Sequence, residues 1–547
     1  MKPLFFLLLA VLALSAARPA AAGAYLPEPD RVIEAVICDG QDHEDLLMAR
    51  VLQGVVNKTR PRVYLCCESF PAEGTDLEVL RRDILEKYGR VTLRKVKPQG
   101  SVFLYLFDRY REEFTHLYVY SQAANLADTF NAAATLAGLN SGAAVSPGML
   151  RRLRAAGCKL PETDICEYCG FGQQDTSVTV NRWISEHLVP LCRRDMVFCL
   201  HPEGRDGGRV FFPTCYDLPV ALGAAIYSVN ARYGASREVQ KTILDQYPPN
   251  IPVIGWDSWK REHHYVTSLS ACGKLCACID WNYDNGSVWA AFPEFSARRQ
   301  TGPADGPGPE DGAVYISFMV SDGDAWHYCM KEFLLSWNGK ERGTADICWT
   351  VPSLFARFNP LFLEYIYDTR TPRDEFAQGP SGMGYMYPSR FPPEYLEDFL
   401  AGTREAMAKA GLSLLNWWDL SDHNAMTGED RELQDLFARE SGADVLMLGH
   451  SSHEGAYRLR DAAAVIEEWG NFEGAGTKTA EDILKAVDAA REKGRRYVLI
   501  NVEAWGERLP AVTKALKALS ERPDGDRYRA IPVPEMARLM KNDPDLR

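Results

Sequence analysis

The sequence predicts an α/β protein in which several small N-terminal α/β domains precede a C-terminal (β/α) barrel-like domain. Short apolar segments alternate with helical patterns along most of the chain, which indicates strands separated by helices. In the second half, a glycine follows each helical pattern and an apolar strand comes next. That order is typical of parallel strands covered by helices. The 547 residues also exceed what one hydrophobic core usually holds.

The N-terminal half begins this alternation. Residues 32–38 form an apolar strand pattern, and the helical pattern after it places Leu47, Val51 and Val55 on one face. Residues 63–66 predict the next strand, and residues 102–107 predict the first strand of a second α/β unit. We therefore expect several small sheets before the barrel.

The main boundary is predicted at residues 299–312, which are rich in glycine, proline and aspartate and show no periodicity. The predicted organisation is a signal peptide at 1–22, α/β domains at 25–99, 100–235 and 236–298, a linker at 299–312, and the barrel-like domain at 313–547.

The N-terminus has the pattern of a secretory signal peptide. Lys2 precedes an apolar run at residues 4–14, and small residues follow at Ala20 and Ala22. No later apolar run approaches the ~20 residues that span a bilayer. We expect a secreted or periplasmic protein without a membrane span.

The net charge indicates which ligands to expect, and the cysteine content indicates whether disulfides form. The formal net charge is −13, which argues against nucleic acid and fits neutral ligands such as carbohydrates. Most of the fourteen cysteines precede residue 280, so export predicts disulfides in the N-terminal half. Their connectivity and the oligomeric state stay open.

Carboxylates follow three of the C-terminal strands. Residues 314–320 lead into Asp322 and Asp324, residues 412–418 into Asp419, and residues 497–502 into Glu503. The carboxyl ends of parallel strands in a barrel lie on one face, where active sites form. Glycosidic cleavage normally needs two carboxyl groups. We expect Asp322 or Asp324, together with Glu503, to be catalytic.

Each of these carboxylates also has a structural interpretation. Asp322 or Asp324 could tighten a turn or cap a helix, Asp419 could be an N-cap, and Glu503 could pair with an arginine. Asp322 and Asp324 could also share Ca²⁺ or Mg²⁺ through oxygen ligands. No other metal or cofactor is predicted.

Aromatic residues are concentrated near the same strand ends, and their flat faces suit the C–H faces of sugar rings. Side chains alternate along a strand, so one member of the Trp417–Trp418 pair is expected in the core. The residues predicted to bind substrate are Tyr385, Tyr387, Trp417, Asp419, Trp505, Trp326 and His423.

One segment carries a family resemblance. Gly382-Met-Gly-Tyr-Met-Tyr-Pro388 resembles the heptapeptide that names the GxGYxYP family of putative glycoside hydrolases. Further similar segments are Leu52-Gln-Gly-Val-Val-Asn57, Asn131-Ala-Ala-Ala-Thr135, Gly255-Trp256 and Ser321-Asp-Gly-Asp324. The resemblance implies small N-terminal α/β domains ahead of a barrel-like domain that hydrolyses glycans.

The preferred function is therefore an exported glycoside hydrolase that acts on poly- or oligosaccharides. Two alternatives stay open. One is a metal-assisted glycan hydrolase, such as a deacylase, with Asp322 and Asp324 as ligands. The other is a non-catalytic glycan-binding or assembly protein.

Overall fold

The structure is a computed structural model that describes residues 24–67, 76–202, 204–206, 209–211, 215–257, 261–279, 283–297, 306–419, 428–449, 455, 457–460, 463–469 and 477–546. The predicted signal peptide and His423 lie outside these residues. The chain divides into two compact units. The first comprises Met1–Ser268, Cys278–Glu294 and Arg357–Tyr365, and the second comprises Leu269–Ala277, Phe295–Ala356 and Ile366–Arg547.

The first unit contains small sheets. Its strands are β1 Val32–Ile37, β2 Val63–Cys66, β3 Thr92–Val96, β4 Leu117–Val119, β5 Ala143–Val145, β6 Glu162–Asp164, β7 Val197–Cys199, β8 Gly204–Asp206, β9 Arg209–Phe211, β10 Ile226–Tyr227 and β11 Pro252–Gly255. The helices up to residue 289 are α1 His43–Thr59, α2 Leu77–Gly89, α3 Val102–Arg109, α4 Thr129–Asn140, α5 Pro147–Ala155, α6 Ile165–Cys169, α7 Ser177–His187, α8 Asp217–Leu222, α9 Gly234–Leu244, α10 Glu262–Ala271 and α11 Gly286–Trp289. Helix α10 contributes residues to both units.

Three groups of parallel strands organise this unit. Strand β1 lies between β2 and β3, β4 lies between β5 and β6, and β7 lies between β10 and β11. In the third group, β7 and β10 lie in the predicted domain 100–235, whereas β11 lies in the predicted domain 236–298. The register pairs Ile37 with Cys66 at the carboxyl ends of β1 and β2.

One predicted strand is a helix. Residues 102–107, predicted to form a strand, begin α3, where Ser101 accepts a hydrogen bond from the Leu104 backbone nitrogen at 3.1 Å. Val102 and Leu106 are buried on one face. The prediction was wrong because a short apolar run has no clear period, and the serine cap with i, i+4 burial decides in favour of a helix.

The second unit contains a larger sheet. This sheet has nine strands, which are β13 Val314–Val320, β14 Ile347–Val351, β15 Asp374–Gln378, β16 Leu414–Trp418, β17 Val445–Gly449, β18 Tyr457–Arg460, β19 Ala463–Trp469, β20 Tyr497–Val502 and β21 Tyr528–Ala530. Strand β12, Leu275–Ala277, belongs to the same unit but not to this sheet. The remaining helices are α12 Trp326–Tyr328, α13 Leu334–Trp337, α14 Phe355–Phe358, α15 Pro360–Thr369, α16 Pro393–Ala410, α17 Gly428–Glu440, α18 Ala480–Glu492, α19 Leu509–Ser520 and α20 Val533–Lys541. Helices α14 and α15 contribute residues to both units.

Seven parallel strands close into a barrel, which confirms the predicted fold class. Their order is β14, β15, β16, β17, β19, β20 and β13, and the pairing of β13 with β14 completes the ring. The helix signals also hold: Gly411 ends α16 in the left-handed conformation, and Thr479 and Asp482 form a capping box on α18. Local signals therefore set the elements that build this barrel.

The barrel interior is apolar at its amino-terminal end. Alternate strand residues such as Met447, Ile466 and Leu499 pack in one cluster with Met536 and Met540 of α20, which closes this end. We call it the base of the barrel. Because side chains alternate, the next inward positions towards the carboxyl ends of the strands are the polar ones that form the opposite end, the mouth.

Candidate active site at the barrel mouth

Two of the predicted carboxyl groups interact at the mouth. Asp322 follows β13 and Glu503 follows β20, and these strands are neighbours in the ring. Burial, and after it the nearby Asp322 carboxyl, together raise the pKa of Glu503 to about 7. Two carboxyl groups that influence each other in this way can divide the roles of acid and base.

The turn that carries Asp322 is fixed by a neighbouring strand. Asp322 has a φ of +68°, and the backbone nitrogen of Gly323 donates to Thr350 Oγ1 at 2.9 Å. The same hydroxyl donates to the Val320 carbonyl at 2.8 Å. A Cβ on Gly323 would lie 2.5 Å from the Val351 nitrogen. Only glycine therefore lets the turn lie this close to β14.

The two carboxyl groups have different hydrogen-bond environments. Trp505 Nε1 and the Ser321 hydroxyl both donate to Asp322, and both bonds favour its ionised form. Burial acts in the opposite direction and leaves the pKa of Asp322 raised. Glu503 Oε2 is buried and accepts no hydrogen bond from the residues that the structure describes. Glu503 is therefore the better proton carrier of the two.

Aromatic rings surround this pair. Trp505 is 45% exposed, whereas Tyr328 is fully buried. The His327 ring stacks on Trp505 at a centroid distance of 5.9 Å, and Tyr328 meets it edge-on at 5.7 Å. Trp505 thus offers a supported aromatic surface beside Asp322.

Two basic side chains also interact electrostatically with Glu503. Lys478 and Arg508 both act to lower the Glu503 pKa, though burial and Asp322 outweigh them. Arg508 also pairs with Glu332 at 2.5 Å. The mouth therefore combines carboxyl groups with two cations, one of which is already paired with Glu332.

Asp324 lies on the same turn but in different surroundings. It is partly buried and raises the pKa of the buried Cys329 thiol on the helical segment that follows. Trp326 is fully buried and packs against Phe355 at 5.2 Å. The structure thus places Trp326 in the core, away from any surface that a sugar could reach, while Asp324 stays a predicted site residue.

The heptapeptide forms a buried wall. Tyr385 and Tyr387 are 1% exposed, and the Tyr385 hydroxyl donates to the Tyr387 hydroxyl at 3.2 Å. The backbone of Tyr385 exchanges two hydrogen bonds with Cys276, and its ring meets Trp418 edge-on at 5.8 Å. The tyrosines therefore support Trp418 instead of presenting their own faces.

Asp419 holds the end of this loop. Its carboxylate accepts from the Ser389 backbone nitrogen at 3.1 Å and from the Ser389 hydroxyl at 2.8 Å. Ser381 bridges the same region, because its hydroxyl donates to the Trp418 carbonyl at 2.7 Å. The geometry gives Asp419 a positioning role between loop and strand.

The two neighbouring tryptophans on β16 point to opposite sides. Trp417 packs edge-on against Phe437 of α17 at 6.1 Å, in the layer between strand and helix. Trp418 follows the inward alternation of the strand. Alternation thus selects Trp418 for the mouth, and we leave Trp417 out of the proposed site.

Sequence reasoning missed Glu468 on β19. It continues the inward row of Ala464 and Ile466, and it is 4% exposed. A Cβ on Gly449 would lie 2.5 Å from Glu468 Oε1 and closer still to Trp418 Nε1. The sequence does show Glu468 as a charged residue inside an otherwise apolar strand. Because Glu467 is adjacent, however, the sequence does not tell which of the two glutamates faces the barrel interior.

The structure says less about the predictions on metal ions, disulfides and membrane spans. The described residues contain no group of three or more histidine, cysteine, aspartate or glutamate side chains arranged to hold a metal ion. Calcium or magnesium at Asp322 and Asp324 stays a prediction. All fourteen cysteines lie within the described residues as free thiols, so the predicted disulfides also stay a prediction. In the part of the chain that the structure describes, no helix has the length and apolarity to cross a membrane.

In (β/α) barrel enzymes, the active site lies at the carboxyl ends of the strands, and the carboxyl groups of this barrel occupy the same position. Residues 312–541 match the family model described as the GxGYxYP putative glycoside hydrolase C-terminal domain. This match confirms the family resemblance for the part of the chain that forms the barrel.

A solved structure is similar over nearly the whole chain. It is the crystal structure of a putative hydrolase from Bacteroides thetaiotaomicron VPI-5482 at 1.25 Å resolution, with a TM-score of 0.78 and 16% identity. The similarity covers 96% of this chain and 98% of that chain, and at this identity it shows the fold. A comparison with curated proteins found no match.

Proposed function

We propose that this protein is an exported, secreted or periplasmic glycoside hydrolase that cleaves poly- or oligosaccharides at the barrel mouth. The observation that carries the proposal is the interaction between Asp322 and Glu503, in which the Asp322 carboxyl raises the pKa of a buried glutamate. A pair of carboxyl groups on one face of a barrel is the arrangement that glycosidic cleavage uses.

The two carboxyl groups take different roles. Glu503, with a pKa of about 7, keeps its proton near neutral pH and donates it to the glycosidic oxygen as the bond breaks. Asp322 receives hydrogen bonds from Trp505 and Ser321, which favour its carboxylate. This carboxylate either attacks the anomeric carbon or takes a proton from the attacking water.

The aromatic surface supports a sugar substrate. The exposed Trp505 ring lies beside Asp322, and its Nε1 is already engaged by that carboxyl group. Its faces are the part left for contact with a ligand, and a sugar ring presents C–H groups that stack on such faces. A sugar on Trp505 would place its linkage near Asp322 and Glu503.

The test is product release from a panel of polysaccharides and aryl glycosides. The wild-type protein is expected to generate new reducing ends, and Glu503→Gln and Asp322→Asn should lower the rate by about 10²-fold to 10⁴-fold. The matched control is Glu507→Gln, because Glu507 lies four residues from Glu503 and forms an exposed ion pair with Lys514 at 2.9 Å.

The outcomes separate the alternatives. Equal rates in the wild type and both carboxyl variants would overturn the assignment of the pair. Glycan binding without product release would favour the binding protein, and activity lost on chelation and restored by one divalent metal would favour the metal-assisted hydrolase. The anomeric configuration of the first product reports whether the reaction retains or inverts.

A further inference from the structure

A cluster of buried cysteines lies in the first unit, at the carboxyl ends of β1 and β2. Cys38 follows β1 and Cys67 follows β2. The parallel register pairs Ile37 with Cys66, and the Cys38 backbone nitrogen donates to the Cys66 carbonyl at 3.0 Å. Continuing this register by one residue sets Cys38 beside Cys67.

The side chains meet as the backbone predicts. The Cys38 thiol donates to the Val36 carbonyl at 3.3 Å, and the adjacent Cys67 side chain is the largest cause of the raised Cys38 pKa. Cys66 has its main interactions elsewhere, because Glu78 and Arg82 are the charged groups that influence its thiol. Alternation along β2 accounts for this difference, since adjacent residues point to opposite faces.

A buried arginine lies next to the pair. Arg50 of α1 is 4% exposed, and its Nη2 forms an ion pair with Asp284 Oδ1 at 3.1 Å. The guanidinium also interacts with the Cys38 and Cys67 thiols, and its buried Nε has no hydrogen-bond partner among the described residues. Hydrogen bonding to Cys67 and burial hold the pKa of the Cys38 thiol well above its ordinary value, and Arg50 only partly opposes them. The two thiols are therefore suited to form a disulfide by their adjacent positions, since exchange also requires that a thiol loses its proton.

We propose that Cys38 and Cys67 form a redox-active dithiol that closes to a disulfide by exchange with a small-molecule or protein disulfide. The inference is independent of the hydrolase proposal, since it concerns the first unit. It also assigns a connectivity that the cysteine spacing left open.

The exchange takes two steps. The Cys67 thiol, which is less deeply buried than that of Cys38, loses its proton, and its sulfur attacks one sulfur of the oxidant. This forms a mixed disulfide and releases one thiolate. The Cys38 thiol then loses its proton and attacks the Cys67 sulfur, which releases the second thiolate. The two cysteines give up two electrons and two protons, and the oxidant becomes two thiols.

Cys166 and Cys169 provide an internal comparison. They lie three residues apart on the short helix α6 and influence each other electrostatically. The charged groups that act on them are Asp164 and Asp175, which disfavour a thiolate. They are also less buried than Cys38 and Cys67, and the pKa of Cys166 is raised less than that of Cys38. Closure at Cys166 and Cys169 is therefore a separate event that the mapping distinguishes from the Cys38–Cys67 link.

The experiment incubates the purified full chain with oxidised glutathione, alkylates remaining thiols in denaturant, and maps the peptides by mass spectrometry. The expected product is a peptide that links Cys38 to Cys67, lighter than the two free peptides by two hydrogen atoms and separated by dithiothreitol. Alkylation of both cysteines at equilibrium, or a link from either one to a different cysteine, would overturn the proposal.

Two variants test the order of events. Cys38→Ser should retain glutathione on Cys67, because the resolving thiol is missing, whereas a Cys166→Ser/Cys169→Ser double variant should form the Cys38–Cys67 link at the wild-type rate. The mapping uses the wild-type chain, so it stays decisive if a variant fails to fold.

Discussion

The mouth and the base of the barrel each hold a glutamate with a raised pKa, and their surroundings differ. Glu503 at the mouth has a pKa of about 7, raised by burial and then by the Asp322 carboxyl. Glu375 on β15 has a pKa of about 8, raised mainly by burial, and it accepts a hydrogen bond from the Val533 backbone nitrogen of α20 at 3.2 Å.

This comparison separates burial from function. Burial raises the pKa of a carboxyl group whether or not it meets a substrate. Glu375 caps a helix that closes the base, whereas Glu503 lies with a second carboxyl group beside an exposed tryptophan. The raised pKa is thus common to both ends, and the arrangement of neighbours distinguishes the candidate site.

The largest expected effect is on turnover. Glu503→Gln should lower kcat by about 10²-fold to 10⁴-fold because the general acid is lost, and Glu375→Gln should stay within about twofold of the wild type. The measurement is initial rate on one substrate taken from the panel. A comparable loss in the folded Glu375→Gln protein would remove the distinction between mouth and base.

The next effect is on the pH dependence of stability. The Glu375 pKa is raised from 4.5 to about 8, so between these values the folded chain holds a proton that the unfolded chain releases. Stability then falls as pH rises across this window. Glu375→Gln removes this fall and should gain about 4 kcal/mol over the wild type by pH 8.

Urea unfolding at several pH values measures this gain, with the exposed Glu521→Gln as the control variant. The glutamine keeps a carbonyl that can accept from the Val533 nitrogen, so the helix cap itself is retained. A stability difference that does not change with pH would show that Glu375 titrates normally.

A smaller effect concerns the choice between Asp322 and Asp324. Asp322 raises the Glu503 pKa, so Asp322→Asn should lower that pKa towards its ordinary value. Asp324→Asn should change it less. Carboxyl ¹³C NMR titration of Glu503 in both variants makes the measurement, and a larger decrease in Asp324→Asn would reassign the pair.

Several features of the barrel were predictable because their causes are local. Gly411 ends a helix since glycine adopts the left-handed conformation easily, and Thr479 with Asp482 begins one by capping it. Apolar strands after such glycines indicate a parallel sheet. Asp322 and Glu503 were predicted as site residues from one more rule, that barrel sites lie after the strands, and their catalytic role stays a prediction.

Other features were not predictable because they depend on neighbours that are distant in sequence. The segment that begins α3 had an apolar pattern that fits both helix and strand. The roles of Trp417 and Glu468 depend on whether each side chain faces into or out of the barrel, and only the packing of the strands fixes this. Tyr385 and Tyr387 had the composition of an exposed aromatic loop, but hydrogen bonds to Cys276 and contact with Trp418 bury them.

By itself, the sequence determined the alternating elements, the barrel class and the family heptapeptide, because capping, periodicity and a rare motif are local properties of the chain. The tertiary structure decided that Asp322 interacts with Glu503, that Glu468 faces the interior, and that Glu375 serves the base. Those assignments depend on how seven strands close on one another, since closure sets which side chains share a face and which lose contact with water.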